Sequence, residues 1–205
     1  MKKNIYKNKK GFSLVETLIA VGILMIAIAG PLSLVQAGLF SSNHQRNQVT
    51  ATYLAQEAFE FIKNLRDSNA YTYYANIENS NVLVNKWLYG GPGADSLLDV
   101  CGDNPGCYVD PHGKFTSGAN PFIQYASSDK KLRQPKDNNT VFSYSYDNSS
   151  SFMDSPYKRT VFIEEIISDQ AVQVTVKIEW KDGALDREYV VSENIYNYAQ
   201  PDETS

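Results

Sequence analysis

The sequence predicts an α+β chain in which a long N-terminal α-helix packs on a C-terminal antiparallel β-sheet meander. Three observations predict it. Gly11 to Phe40 is predominantly apolar with Glu16 its only charged residue, and Ala51 to Leu65 carries apolar residues at three- and four-residue spacing. The last third of the chain alternates apolar and polar residues with period two between turn signals.

Composition narrows the classes further. The 205 residues hold 19 Lys+Arg against 23 Asp+Glu, a formal net charge of -4, with 20% charged and 42% hydrophobic residues. Those proportions suit a folding chain. A pI near 5.2 argues against duplex nucleic acid as a partner, because phosphate binding needs a clustered basic surface. A mean hydropathy of -0.37 excludes a protein that crosses the membrane many times.

The first element is a basic leader. Lys2, Lys3, Lys7, Lys9 and Lys10 precede the apolar stretch with no acid among them. A bilayer core needs about 20 apolar residues as helix, so the segment after Gly11 is long enough to span once. The lysines place its N-terminal side in the cytoplasm and everything after Phe40 outside. A secretory signal peptide fits the same outline, with Val35-Gln36-Ala37 as a small-x-small cleavage site behind the helix breaker Pro31. Glu16 fits that alternative poorly, since an ionised carboxylate in an apolar span costs roughly 3 kcal/mol at mid-helix.

The run Lys9-Lys10-Gly11-Phe12-Ser13-Leu14-Val15-Glu16-Thr17-Leu18-Ile19 resembles the N-terminal motif of type IV prepilins and type II secretion pseudopilins. The resemblance implies cleavage between Gly11 and Phe12 by a prepilin peptidase and N-methylation of the new Phe12 amine. Glu16 is then the fifth mature residue, the family's glutamate. It is expected to act in assembly, setting register against the N-terminal amine of a neighbouring subunit. The residues allow this chemistry. Gly11 lets an extended peptide lie close to a peptidase, and a carboxylate in lipid is tolerable beside an opposite charge. The cleaved amine would lie one helical turn from Glu16.

The helix is expected to continue past the lipid span. Ala51, Leu54, Ala55, Ala58, Ile62 and Leu65 form its buried stripe, and it should stop near Asp67-Ser68-Asn69. Gly30-Pro31 should kink or locally unwind it, and family members commonly have a helix-disturbing proline in this part of the stalk. The segment Leu54–Asp67 is similar to that of minor pilins of the pilin V and pseudopilin I type. The resemblance therefore implies a pilin-like fold and a minor subunit.

Residues 70–139 read as an irregular polar insertion with turn signals at Gly90-Gly91-Pro92-Gly93, Asn104-Pro105-Gly106 and Asn120-Pro121. Val82-Leu83-Val84 and Trp87-Leu88 should pack on the sheet. Strands are expected at Thr140–Tyr146, Arg159–Ile167, Ala171–Lys181 and Arg187–Asn194, with tight turns at Asp169-Gln170 and Asp182-Gly183. The expected organisation is a leader at 1–11, a transmembrane and assembly helix at 12–40 and its amphipathic continuation at 41–69. The insertion at 70–139, the sheet at 140–198 and a flexible tail at 199–205 follow.

Cys101 and Cys107 bracket a turn-rich loop, for which a disulfide is the default outside the cytoplasm and two free thiols the alternative. Asp95, Asp99, Asp103, Asn104 and Asp110 crowd the same stretch; Asp99, Asp103 and Asp110 are weak Ca²⁺ candidates beside the plainer reading of a solvated acidic loop, because the spacing matches no loop of fixed ligand order. No metal or other cofactor is expected. Catalysis has little support. His112 with Asp110 and a serine could form a triad, but no nucleophile elbow is present and His44 lies in the stalk. The tyrosines and phenylalanines, Phe142, Tyr144, Tyr146 and Phe162 among them, suit strands as well as adhesion. Asn138 and Asn148 stand in glycosylation-type triplets that are common by chance.

The resemblance implies several partners: other pilin or pseudopilin subunits, the prepilin peptidase, an inner-membrane assembly platform and, before assembly, the lipid bilayer. It implies a single-pass protein of the bacterial inner membrane with its C-terminus outside, later in a cell-surface pilus or periplasmic pseudopilus. Two other classes remain open: a soluble exported binding protein released after Ala37, and a membrane-tethered enzyme. Cleavage after Gly11 would remove five of the 19 basic residues, leaving 14 against 23 acids and a side-chain balance of -9.

Overall fold

The computed structural model describes residues 11–75, 87–89, 96–102, 104–113, 115, 121–126, 129–137 and 144–198. The chain forms two compact units, Met1–Arg46 and Asn47–Ser205.

The described part of the first unit is the apolar half of helix α1, whose full extent is Leu14–Ala75. Leu18, Ile19, Ile23, Leu24, Met25 and Ile26 are exposed, as are their neighbours on every side of the helix. A helix apolar all round needs lipid or other helices about it. Its mean hydropathy reaches 2.5 over 18 residues, long and apolar enough to cross a membrane. Hydroxyls within it are satisfied locally: Thr17 Oγ1 donates to Leu14 O at 2.8 Å and Ser33 Oγ to Ala29 O at 3.0 Å. Pro31 lies inside the helix, which is assigned without a break from Leu14 onward.

In the second unit α1 presents the expected stripe. Ala51, Leu54, Ala55, Ala58 and Ile62 are buried, Phe59 joins them, and Leu65 packs partly buried against the same core. The helix does not stop at Asp67-Ser68-Asn69 but runs on to Ala75. Tertiary bonds outweigh the turn preference of these residues. Asn69 Nδ2 donates to the carbonyls of Trp87 and Tyr89, at 3.0 and 2.9 Å. Trp87 and Leu88 are buried in the core as expected, whereas Val82-Leu83-Val84 lies outside the described residues.

A five-stranded sheet carries the core, in the order β2-β1-β5-β6-β7. Its strands are β1 (Cys107–Val109), β2 (Ile123–Tyr125), β5 (Lys158–Ile167), β6 (Ala171–Asp182) and β7 (Leu185–Tyr196), paired antiparallel. Two further strands, β3 (Arg133–Pro135) and β4 (Phe152–Asp154), form a separate small pair. Strands β5, β6 and β7 are the predicted meander. Val172, Val174, Val176, Ile178 and Trp180 face inward, with Gln173, Thr175, Lys177 and Glu179 between them. The turns fall at the expected residues, where Asp169 and Gly183 adopt positive φ of 58° and 65°. Gly183 suits the two-residue connection from Asp182 to Leu185 because its positive φ is strained for residues that carry a Cβ.

Two features differ from expectation. Segment 70–139 is not wholly irregular. It supplies helix α2 (Leu97–Cys101), whose N-cap Ser96 accepts from Leu98 N–H at 3.2 Å, together with β1, β2 and β3. The strand expected at Thr140–Tyr146 has its first four residues outside the described set. Of the remainder, Ser145 makes only an isolated bridge to Arg133. Asp110 draws this stretch away from the ladder, since its Oδ2 accepts from Tyr146 N–H at 2.9 Å and Ser145 Oγ at 2.8 Å.

Cys101 and Cys107 form a disulfide that joins α2 to β1, with both residues fully buried. Gly106 makes the turn into β1 at φ 83°. A Cβ there would sit 2.7 Å from Val161 O, so no other residue fits.

The end of β7 is tied to α1 by a polar group. Tyr198 Oη donates to Asp67 Oδ1 at 2.7 Å, Arg66 Nε donates to the same oxygen at 2.8 Å, and the Arg66 guanidinium lies 4.8 Å from the Tyr198 ring centre. The Tyr198 hydrogen bond, then Arg66, holds the Asp67 carboxyl below its ordinary 3.8, and the same bond raises the Tyr198 phenol above 10.0. Asp67 therefore contributes stability above its ordinary pKa and loses it as pH falls through the lowered folded value. Tyr198 contributes below 10 and loses it as pH rises through its raised value. The expected result is a tether intact between about pH 4 and 10. Protection of the amides at residues 194–198, taken relative to the intrinsic exchange rate at each pH, should begin to fall below about pH 4 and above about pH 10, and constant protection across both limits would refute the tether.

Candidate functional site

The residues singled out at the N-terminus stand together at the start of α1. Gly11, Phe12 and Ser13 precede the helix, and Phe12 is 80% exposed. The Gly11–Phe12 bond thus lies in accessible, non-helical chain, which a peptidase cleft requires. Thr17 N–H donates to Ser13 O at 3.1 Å, making Ser13 the N-cap and Glu16 the third residue of the helix. Ser13-x-x-Glu16 is the capping-box pattern, a local sequence signal for this helix start. Glu16 in the first turn meets the positive end of the helix dipole. Phe12 precedes the helix, so the expected helical one-turn spacing between it and Glu16 is not present in this structure. Glu16 is exposed on a helix otherwise lined with apolar side chains.

In the second unit the most constrained polar group is one that sequence reasoning missed. Arg159 on β5 is fully buried. Its Nη1 donates to Leu54 O at 2.9 Å and to Glu57 Oε2 at 2.6 Å, both on α1, and its Nη2 donates to Val109 O on β1 at 2.7 Å. One guanidinium therefore joins the helix to two strands. The signal was strand parity, because Arg159 shares the inward phase of Val161 and Ile163. Its own carbonyl accepts from Tyr146 Oη at 3.0 Å, and burial pushes that phenol well above its ordinary range. The Tyr146 ring stacks on Phe115 at 5.0 Å and lies 5.3 Å from Tyr108. Tyr146 thus serves the core rather than an outward aromatic patch, and Phe142 lies outside the described residues.

The drawn triad is not assembled. Asp110 accepts from Ser145 Oγ and, through Oδ1, from the backbone N–H of His112 at 3.0 Å. A triad needs the imidazole between serine and carboxylate. Here the His112 ring instead approaches Glu57, at 4.0 Å. Of the Ca²⁺ candidates, only Asp99 and Asp110 lie among the described residues. Asp99 is exposed on α2, Asp110 is buried and committed to Ser145, Tyr146 and His112, and Asp103 and Asp95 lie outside the described residues. Among the described residues no three His, Cys, Asp or Glu side chains form a metal-binding group.

Residues 6–30 match the family described as the prokaryotic N-terminal methylation motif. That match covers Gly11, Phe12, Glu16 and Gly30, and it supports the likeness to type IV prepilins and pseudopilins. No curated protein and no solved structure matches the chain.

Proposed function

We propose that this chain, which carries the prokaryotic N-terminal methylation motif ahead of an exposed apolar helix, is a minor type IV prepilin or pseudopilin. The observation that carries the proposal is that motif in register with Gly11, Phe12 and Glu16. Prepilin peptidase cuts after Gly11, the Phe12 amine is methylated, and residues 12–40 hold the subunit in the inner membrane with its C-terminus outside. Assembly moves the helix from lipid into a bundle of like helices, on a platform in the membrane. Once Phe12 is the first residue, its amine is the nearest available cation for a neighbour's Glu16, and the pair sets the register. Gly30 and Pro31 give the stalk a point of bending during that transfer. The buried head, from Asn47 on, is built for stable display rather than catalysis. Its Asp110 and Ser145 are spent on structural bonds.

Intact-mass analysis of the membrane-extracted protein tests this. The expected N-terminus is Phe12 carrying one methyl group. A start at Gly38 would show release by signal peptidase instead. The competing cleavage site Val35-Gln36-Ala37 lies inside α1, which favours the first outcome.

A further inference from the structure

Strand β7 is the outermost strand of the five-stranded sheet, and the proposed assembly gives its outer edge no task. It runs 12 residues without proline, glycine or a break in register. Asn197 N–H donates to Gln170 O beside the Ala171↔Tyr196 pair, which sets the phase of the ladder. The odd-numbered residues of β7 therefore bond to β6. The N–H and C=O groups of Asp186, Glu188, Val190, Ser192 and Asn194 point away from it. Among the described residues no strand lies beyond them. Natural sheets blunt such an edge, commonly with charge, and here the charges are Asp186, Arg187, Glu188 and Glu193.

Those charges repel most strands but match a second copy of this one. Two β7 edges can lie antiparallel with Val190 facing Val190 on a twofold axis. Arg187 then meets Glu193 on both sides of the axis, Glu188 meets Ser192, Asp186 meets Asn194 and Tyr189 meets Val191. No acid faces an acid. Other registers lose the match. Centring on Glu188 sets it against itself, and centring on Tyr189, Val191 or Ser192 puts Val191, Ile195 or Asn197 opposite Arg187. The backbone agrees with the Val190 centre, which pairs even-numbered residues, the ones whose N–H and C=O groups point outward. Arg187 Nε is buried with no hydrogen-bond partner, and among the described residues no carboxylate pairs with Arg187. Glu193 takes Lys63 through Oε1 at 2.8 Å, which leaves Oε2 for a second cation. Val190, 50% exposed at the centre of the edge, is covered by the pairing.

We propose that β7 pairs antiparallel with β7 of a second copy of this chain, joining two five-stranded sheets edge to edge. Within the second unit α1 and β7 run the same way, as the order of Lys63–Glu193, Arg66–Tyr196 and Asp67–Tyr198 requires. The paired copies therefore lead their α1 helices off at opposite ends. On the assembly reading, copies in one bilayer or one fibre all point one way. The partners then come from two fibres or two cells, and the contact is homotypic adhesion.

Single cysteines in the full-length chain, in detergent micelles under mild oxidation, test the register. Both native cysteines are tied in the Cys101–Cys107 disulfide, so the added thiol is the one that reacts. Val190→Cys sets two Cα atoms about 5.5 Å apart across the axis, within disulfide reach. Ser192→Cys or Glu188→Cys alone sets them about 14 Å apart, out of reach. The expected result is a covalent dimer from Val190→Cys, formed at least about tenfold faster than from either other variant. Mixing Ser192→Cys chains with Glu188→Cys chains should raise their rate to match. Adding Arg187→Glu or Glu193→Arg to Val190→Cys should each stop the dimer. A mixture of those two chains should recover it, because every glutamate then meets an arginine. If a charge variant fails to fold, Val190→Cys in the otherwise native chain still decides. Equal rates from the three single cysteines overturn the proposal, as does no dimer from Val190→Cys. A fast dimer from Ser192→Cys alone also overturns it, in favour of parallel strands.

Discussion

Glu16→Ala is expected to abolish incorporation into fibres while leaving insertion into the membrane intact. The two halves of that outcome follow from opposite energetic signs. In lipid the Glu16 carboxylate is a liability of up to roughly 3 kcal/mol, smaller near the interface, so alanine makes insertion no harder. In the proposed assembled bundle the same carboxylate would face a neighbour's amine, and alanine would leave that cation unpaired in apolar surroundings. Losing one partner of a buried pair typically costs about 3–5 kcal/mol, enough to empty an assembly step. Subunit levels in the sheared fibre fraction and in the membrane fraction measure the two halves separately. Wild-type yield in fibres would sink the assembly role of Glu16. Glu16→Asp keeps the charge and the helix-start preference, and should restore part of the yield.

The second large effect belongs to the head. Arg159→Ala should lower the melting temperature by about 6–12 °C, from a loss of about 3 kcal/mol. The change strips donors from Leu54 O, Val109 O and Glu57 together. Glu57 is itself 31% exposed at its side chain, so water softens part of the loss and the lower end of the range applies to its share. Arg159→Lys should recover little, because an ammonium cannot spread its donors over a helix carbonyl, a carboxylate and a strand carbonyl. Thermal unfolding of the full chain in detergent, followed by far-UV circular dichroism, reads the shift. A change of less than 2 °C would show that the three-way bond adds nothing net to stability.

The sequence carried the meander and the helix stripe because both rest on repeated local spacing. Val172 to Trp180 and Ala51 to Ile62 each repeat a period often enough to declare a face. What it hid depends on pairing between distant residues. Strand β1 has three residues, all buried, too few for any period, and it exists through Cys107↔Val161 and Cys107↔Tyr125. The helix end was misplaced because Asp67 and Asn69 spend their side chains on Tyr198 and on the Trp87 and Tyr89 carbonyls rather than on a local turn. At the candidate site, Gly11, Phe12 and Glu16 belong to a linear motif, which is matched from the sequence alone. Arg159 was not, since its importance lies in three partners from three elements. The disulfide was legible from compartment and spacing alone.

The bonds between α1 and β7 also define how the head would carry a mechanical load. They occur in matching order along both elements: Lys63 with Glu193 at 2.8 Å, Arg66 with the Tyr196 carbonyl, and Asp67 with Tyr198. A pull along the helix axis meets these links side by side, in shear, and they share the force instead of opening one after another. A force applied to α1 within the second unit therefore reaches the whole sheet through its last strand.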